Sequence, residues 1–379
     1  MSNHIKPLLR KELLDAIRDK RSVMAGLYYA LFTPILLALM LTAIISKVTN
    51  PEDIEIRITN PENAPLLIDF LSNKGITHST DGNKLKNIEL IISNEFIKQL
   101  NHAEPAEVIL IADRSEDSSQ SAISRTRNAL RSYSSQIASL RLIARGINPE
   151  IMQPVKVEFQ DQATPDSKGG QLLGMVILTI ILSTFISGMN LAIDTSAGER
   201  ERNSLALLLS HPISVRELVL SKTLAVSIFG MLGLVLVMFV SKIVYPFVPW
   251  QQLGFSINIS GQFMLATLLV GSTVAIFAAS MQLFVSFLAK SFKEAQTYLT
   301  FVIFVPMALA YAVTLDFAVE ELRWAPVSGQ LQALIELAKG KEIPILQLLV
   351  SSMSTLAISF SLILGMEKLL KSEKIIFGL

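Results

Sequence analysis

The residues best placed to do chemistry lie at positions 194–222, the most densely charged stretch in the apolar half of the sequence. Ser196 stands three residues before Glu199, and the same spacing separates Ser214 from Glu217. In such a capping box the serine oxygen accepts from a first-turn N–H, and the glutamate accepts from the N–H of the serine. The two patterns therefore predict two capped helices in a row.

Pro212 marks the boundary between these helices, because proline disfavours helical geometry in the residue before it, here His211. A loop that only returned the chain to a membrane would not need two capped helices. Clustered opposite charges on rigid helices can pair specifically with a soluble partner. We therefore interpret residues 194–222 as a docking surface, the alternative being that its charges only anchor the loop at lipid headgroups.

Several kinds of chemistry are excluded by residues that the sequence lacks. Without cysteine there is no disulfide, thiolate zinc site or cysteine nucleophile, and no two of the four histidines have metal-ligand spacing. No G-x-x-x-x-G-K-[ST] motif occurs, since the Gly340–Lys341 pair is followed by glutamate. A net charge of +1 argues against nucleic-acid binding. We predict no catalytic residue, metal site or cofactor here, so another chain must bind any ATP and Mg that are used.

Composition and apolar runs predict an α-helical integral membrane protein. Charged residues make up 17% of the chain, below the roughly 25% of soluble proteins. A span needs about 20 apolar residues to cross about 30 Å of hydrocarbon. Such runs predict six transmembrane helices, at 22–46, 169–193, 223–241, 262–289, 297–315 and 345–366. Residues 1–21 predict an amphipathic interfacial helix, with Leu9, Leu13 and Ile17 four residues apart; the alternative is a tail with incidental periodicity.

The distribution of basic residues predicts the orientation of the spans. The two tails and the connections 194–222 and 290–296 carry 15 Lys and Arg residues, against 4 in the short connections on the opposite side. By the positive-inside rule, the termini, including the tail 367–379, and the docking surface are cytoplasmic. The loop 316–344, with short helices, is then extracytoplasmic. A multi-pass protein of the plasma membrane (the inner membrane of a Gram-negative cell) follows.

Residues 47–168 predict an extracytoplasmic α/β domain between the first two spans. Short apolar runs alternate there with helical patterns, which is typical of a small layered domain with its own core. No nucleophile elbow, phosphate loop or carboxylate pair is evident, which favours a binding or structural role. The predicted strands are 54–58, 89–93, 108–112 and 155–159, and the predicted helices are 65–73 and 119–145.

The predicted spans contain few polar residues and almost no ionisable ones. Ionisable residues mark ion paths and proton relays, so a proton-coupled secondary transporter is disfavoured. Ser183, Ser187 and Asn190 recur at helical spacing in the second span, while Gln282 and Ser286 lie in the fourth. These five are candidates for a translocation path. The alternative, which we weight more heavily, is hydrogen bonding between packed helices.

The segment AGERERNSLALLLSHPISVRELVLSK resembles the cytoplasmic loop after the second span of ABC-2 type exporter permeases. Their pattern runs A-G-E-K/R-E-R-x-T/S-L-x-x-L-L-x-x-P-[IV]-S-x-x-E-[IL]-x-x-x-K. A large external domain, a long Ser-rich helix ending ASLRLIARGINPE and the return VKVEFQD are similar to the sodium-efflux (NatB-type) branch. The sequence departs from the pattern at residues 205–207, where Leu-Ala-Leu replaces the frequent Thr-Leu-Glu.

The resemblance implies a half-permease that forms a homodimer in the lipid bilayer and binds two copies of a separate ABC ATPase subunit, which holds ATP and Mg. It implies sodium export, although a drug, lipid or peptide cargo remains open. A membrane-anchored sensor or assembly protein with a ligand-binding external domain is the alternative of another class. The residues that the resemblance assigns to ATPase coupling are Ser196, Glu199, Arg200, Glu201, Arg202, Ser214, Arg216 and Glu217.

Overall fold

The computed structural model describes residues 4–49, 53–79, 88–113, 117–152, 154–155, 170–254, 259–315 and 320–372. The chain divides into two units, Met1–Ser46 with Gln162–Leu379 and, inserted between them, Lys47–Asp161. Part of the strand predicted at 155–159 and the end of the basic tail lie outside the described residues.

The first unit consists of helices. In the described part of the chain, six helices are long and apolar enough to cross a membrane, which agrees with the predicted number. They are named spans one to six in chain order: Tyr28–Lys47, Leu172–Glu201, Val215–Phe247, Gly261–Leu288, Phe292–Thr314 and Ile345–Leu369. Span one belongs to helix α2, Lys20–Thr49, which follows α1, Ile5–Arg18. Ser260 and Ser291 cap spans four and five, each by accepting from the N–H three residues on.

Span two lies at the centre of this unit and packs on spans three, four and five. Its apolar window is 72% buried, against 17% for span six. Spans two and three approach closely because span three carries glycine at the contact. A Cβ on Gly230 would lie 2.8 Å from the Thr184 carbonyl oxygen, and one on Gly233 would overlap the Ser187 side chain. Span two is therefore held on several sides by its neighbours.

In its described residues, the second unit is built on a four-stranded sheet. The strands are β1 Ile54–Thr59, β2 Ile76–His78, β3 Ile88–Ile92 and β4 Val108–Ala112. Their order is β2-β1-β3-β4, with β1 parallel to β2 and β3, and β4 antiparallel to β3. The helices are α3 Pro65–Asn73, α4 Phe96–Asn101 and α5 Asp117–Ala144. Side chains of the strands and helices share one apolar core, which is the layered arrangement that the alternating pattern predicts.

The connection between spans five and six contains a helix that packs among the spans. The helix Ser328–Ala338 packs against spans two, four, five and six, and Gln330 is fully buried. Its Nε2 donates to Thr273 Oγ1 in span four at 2.8 Å and to Ser352 Oγ in span six at 3.3 Å. The neighbouring spans thus satisfy the hydrogen bonds of this buried amide.

Candidate functional site

The first predicted capping box is absent from the structure. The helix of span two does not end before Ser196 but continues through a π-helical turn, Asp194–Gly198, into Glu199–Glu201. A continuing helix has no free first-turn N–H groups for a serine to cap. Ser196 instead hydrogen-bonds the Ala192 carbonyl oxygen and, at 2.6 Å, Ser286 Oγ in span four. The Ser196–Glu199 prediction was therefore wrong as a cap.

The second predicted box is confirmed. Ser214 Oγ accepts from the Glu217 N–H at 3.2 Å, and Glu217 Oε2 accepts from the Ser214 N–H at 3.0 Å. The helix of span three begins with this box, at Val215, eight residues before the predicted start of the span. The short helix Ser204–Leu209 precedes it and ends shortly before Pro212. The N-terminal end of span three is thus fixed by a cap inside residues 194–222, the predicted docking surface, which we call the coupling segment.

The Glu199 carboxylate takes part in a closed ring of ion pairs. Lys222 Nζ lies 2.7 Å from Glu199 Oε2 and 2.8 Å from Glu12 Oε1. Lys11 Nζ closes the ring at 2.6 Å from Glu199 Oε1 and 3.2 Å from Glu12 Oε1. Two carboxylates face two ammonium groups, so the ring has no net charge. It joins α1, the end of span two and the start of span three.

The ring is buried except at one corner. Lys222 and Glu12 are fully buried and Glu199 is 5% exposed, whereas the Lys11 side chain is 36% exposed. Burial lowers the pKa of Lys11, but the charges of Glu12 and Glu199 outweigh it and hold that pKa above its usual 10.5. Since the raised pKa belongs to the folded state, the contribution of Lys11 is complete below pH 10.5 and is lost only at higher pH.

Arg200 and Glu201, which follow Glu199 directly, form hydrogen bonds with the ends of two further spans. The Arg200 guanidinium donates to the Ala289 carbonyl oxygen at 3.0 Å, at the C-terminal end of span four. Glu201 Oε2 accepts from the Phe292 N–H at 2.8 Å, at the N-terminal end of span five. A cation at a helix C-terminus and an anion at an N-terminus both complement the helix dipole. Span two is therefore fastened here to spans three, four and five.

The exposed part of the coupling segment is its tip. Arg202 is exposed and pairs with Asp194 Oδ1 at 2.9 Å. The tip is formed by the short helix Ser204–Leu209 and the turn after it, where Leu207 is 64% exposed. Ser196 and Glu199 are buried, so a partner protein cannot contact them directly. The other exposed tip residues are Ser210, His211, Pro212, Ser214 and Arg216.

The polar residues of the apolar spans lie mostly between packed helices. Gln282 is fully buried and its Nε2 donates to the Phe185 carbonyl oxygen in span two at 2.6 Å. Ser183 donates to the Ile180 carbonyl oxygen of its own helix at 2.6 Å. Ser187 is 8% exposed and Asn190 is half-buried. The Gln282–Phe185 and Ser196–Ser286 bonds join different helices and favour helix packing as the role of Gln282 and Ser286. Among the described residues, Ser187 Oγ has no hydrogen-bond partner, and Ser183 bonds within its own helix.

Sequence reasoning missed Lys11, Glu12 and Lys222 as members of the site. Lys222 is the closing lysine of the loop pattern, but its partner Glu199 stands 23 residues away. Glu12 and Ala16, four residues apart, form the buried face of α1, and a glutamate on such a face is the signal that could have indicated a buried partner. In the described part of the chain, no three His, Asp or Glu side chains cluster as metal ligands would.

Comparison with known proteins identifies the family to which the chain is related. The family described as "ABC-2 family transporter protein" matches residues 25–366. The ABC transporter permease protein NatB of Bacillus subtilis (strain 168) is 25% identical over 323 residues, which cover 81% of each chain. No solved structure matches the chain. With six apolar helices and a family match across nearly its whole length, the chain belongs to the ABC-2 family of transporters, whose multi-pass membrane subunits are not themselves ATPases and work with an ABC ATPase.

Proposed function

We propose that this chain is the permease subunit of an ATP-driven exporter, and that it moves Na⁺ with ATP hydrolysed by a separate subunit. Family membership supports a permease role and an ATPase partner. The choice of sodium rests on the resemblance of the external domain and its flanks to the sodium-efflux branch. A homodimer carrying two ATPase subunits, with its termini in the cytoplasm, completes the proposal.

The observation that carries the coupling role is the ring of ion pairs beneath an exposed tip. A partner contacts the tip through Leu207, Arg216 and the exposed charges Glu201 and Arg202. The buried ring then transmits the displacement, because it locks the base of the tip to α1 and to spans two and three. Bistable packed elements, rather than soft ones, convert small shifts into larger movements.

The same turn extends the movement to the remaining core spans. Arg200 and Glu201 hold the facing ends of spans four and five. A tilt of the end of span two therefore shifts both of these ends together. In this scheme Ser183, Ser187, Gln282 and Ser286 keep the helices in register, and half-buried Asn190 is the member of the polar stripe that lines the path.

Transport by reconstituted vesicles tests the proposal. Vesicles containing this permease and its ATPase should move ²²Na⁺ on addition of ATP and Mg, and should not do so when the ATPase carries an inactivated Walker lysine. If ATP moved a dye or a labelled lipid but not sodium, the protein would still be an exporter, but its cargo would not be sodium. A purified permease that recovers no ATPase subunit from its own cells would instead favour a sensor or assembly protein.

A further inference from the structure

The connection between spans five and six contains a backbone conformation that its residue does not favour. Val327 has a φ of +68° and a ψ of −51°, and the N–H of Ser328 donates to the Pro326 carbonyl oxygen at 2.8 Å. This is the rare, strained form of γ-turn, and a positive φ is least favourable for a β-branched residue. Val327 is 1% exposed, so the surrounding packing holds it there. Strain of this kind persists only where the structure imposes it, and it is concentrated at ligand clamps and switch regions.

The helix that follows this turn, Ser328–Ala338, reaches into the bundle, and we call it the plug helix. Its Gln330 contacts Thr273, which lies about 18 Å from the first residue of span four, at about 1.5 Å per residue. Farther along the helix, Ile335 lies beside Gly174, near the end of span two that is opposite the ring. The plug helix therefore fills the bundle at the end opposite the coupling segment.

The Gln330 side chain uses its whole hydrogen-bonding capacity in this position. Its Nε2 donates to Thr273 and Ser352, and its Oε1 accepts from the Val327 N–H at 3.0 Å and from Thr355 Oγ1 at 3.3 Å. A carboxamide has two N–H donors and two acceptor sites, so all four are occupied. One side chain thus ties the strained turn to spans four and six. We call this side chain the latch.

The latch can break without leaving its main partners unpaired. Thr273 Oγ1 donates to the Val270 carbonyl oxygen at 2.8 Å, and Thr355 Oγ1 lies 2.6 Å from the Ser351 carbonyl oxygen. Each of these hydroxyls therefore keeps a partner in its own helix when Gln330 leaves. Because an unpaired buried polar group is the main cost of breaking a hydrogen bond, release of the latch costs the spans little.

We propose that the plug helix closes the translocation path at the end opposite the coupling segment, and that it opens by turning about Val327 when the Gln330 latch breaks. The proposal rests on the exporter function proposed above, since an exporter needs a path that opens at this end. The plug helix packs on span two, whose other end the ring fastens to span three. A tilt of span two therefore reaches the plug helix, and packed elements with two arrangements amplify such shifts. Relief of strain at Val327 offsets part of the hydrogen bonding that is lost.

The absence of native cysteine allows a direct test on the full chain. Ala333→Cys places a thiol on the plug helix at a position that is 2% exposed. Its labelling by a hydrophilic maleimide is followed in nanodiscs that hold the permease and its ATPase, with and without ATP and Mg. We expect ATP to raise the labelling rate at least about fivefold, because the minor state of a two-state protein is populated at about 0.1–10% before a ligand favours it. Ala279→Cys, 1% exposed in span four, should stay unlabelled, and exposed Glu342→Cys should be labelled at once in both conditions.

The latch is tested separately, without ATP or the ATPase. Gln330→Leu and Thr273→Val should each raise the labelling of Ala333→Cys. Thr273→Val keeps the shape of its side chain, so it decides the outcome if Gln330→Leu also exposes Ala279→Cys. Unchanged labelling in both variants would overturn the movable plug helix.

The two proposals fail in different ways. If the protein hydrolyses ATP and moves ²²Na⁺ while position 333 stays unlabelled, the plug helix does not open and the exporter stands. If no cargo moves, the exporter proposal fails, and the latch variants still decide whether the plug helix opens.

Discussion

Lys222 and Glu199 make an ion pair of 2.7 Å across the base of a 23-residue excursion of the chain. The pair closes the coupling segment as a stem, so its exposed tip moves with the ends of spans two and three and not independently. Both side chains are nearly fully excluded from solvent, which makes the stem costly to break. The pair is therefore the place where a change should affect folding and coupling together.

Replacing Lys222 with methionine should destabilise the protein strongly. Glu12 and Glu199 would lose their fully buried counter-ion and keep only the partly exposed Lys11. Breaking a buried ion pair costs about 3–5 kcal/mol, and we expect a loss towards the lower end of that range because Lys11 remains. The measurement is the thermal midpoint of purified protein in detergent. Lys242→Met is the matched control, because Lys242 lies on the same helix but is exposed. Equal midpoints for the two variants would contradict the ring as a stabilising element.

Neutralising Glu12 should release α1 from the coupling segment. Glu12→Gln keeps the shape of the fully buried side chain but removes its charge beside Lys222 and Lys11. We expect faster amide hydrogen exchange throughout Ile5–Arg18, measured by mass spectrometry. Asp15→Asn is the control, since that side chain is 52% exposed and 3.7 Å from Lys11. Similar exchange in both variants would show that α1 is held by its apolar face alone.

Placing a charge at the tip should weaken binding of the ATPase without unfolding the permease. Leu207 is 64% exposed, so Leu207→Lys costs little in the free protein but would bury a charge in the complex. We expect affinity for the ATPase, measured by co-purification and titration, to fall about tenfold or more. Leu66→Lys, at 72% exposure in the sheet-containing unit, should bind normally. Normal ATPase binding by both variants would show that the ATPase contacts a different surface of the permease.

Adding one methyl group at Gly233 should disturb the contact of spans two and three. An alanine Cβ there would overlap Ser187, and overpacking typically costs about 1–3 kcal/mol. Gly261→Ala is the control, because nothing lies within 4 Å of its new Cβ. The thermal midpoint of Gly233→Ala should fall and that of Gly261→Ala should not. A second change, Ser187→Gly, should recover part of the loss; if it does not, the clash is not its cause.

The proposed orientation can be tested by labelling single cysteines in intact cells. Ser210→Cys lies on the exposed tip, and Ile109→Cys lies on the exposed side of β4. A membrane-impermeant maleimide should label position 109 in intact cells and position 210 only after permeabilisation, because the positive-inside rule predicts a cytoplasmic tip. The reverse pattern would invert the topology and remove the ATPase contact from this face.

Local patterns predicted much of this structure because local physics determines it. The apolar lengths of the spans and the Ser214–Glu217 box are properties of neighbouring residues. The Ser196 pattern failed because a cap forms only where a helix begins, and tertiary packing carries the helix of span two through that point. The ring was not predictable in this way, since Glu12 meets Lys222 across 210 positions. The burial of Gln330 was not predictable either, because the sequence does not show whether water or another helix accepts the hydrogen bonds of a polar side chain.

The two helix ends beside span two also explain the order of the charges that hold them. The end of span four presents carbonyl oxygens, which only a donor such as Arg200 can satisfy. The start of span five presents an N–H, which only an acceptor such as Glu201 can satisfy. Exchanging the two residues would conserve composition and net charge, yet turn both attractions into repulsions. The order of Arg200 and Glu201 in the sequence therefore follows from the chain directions of spans four and five.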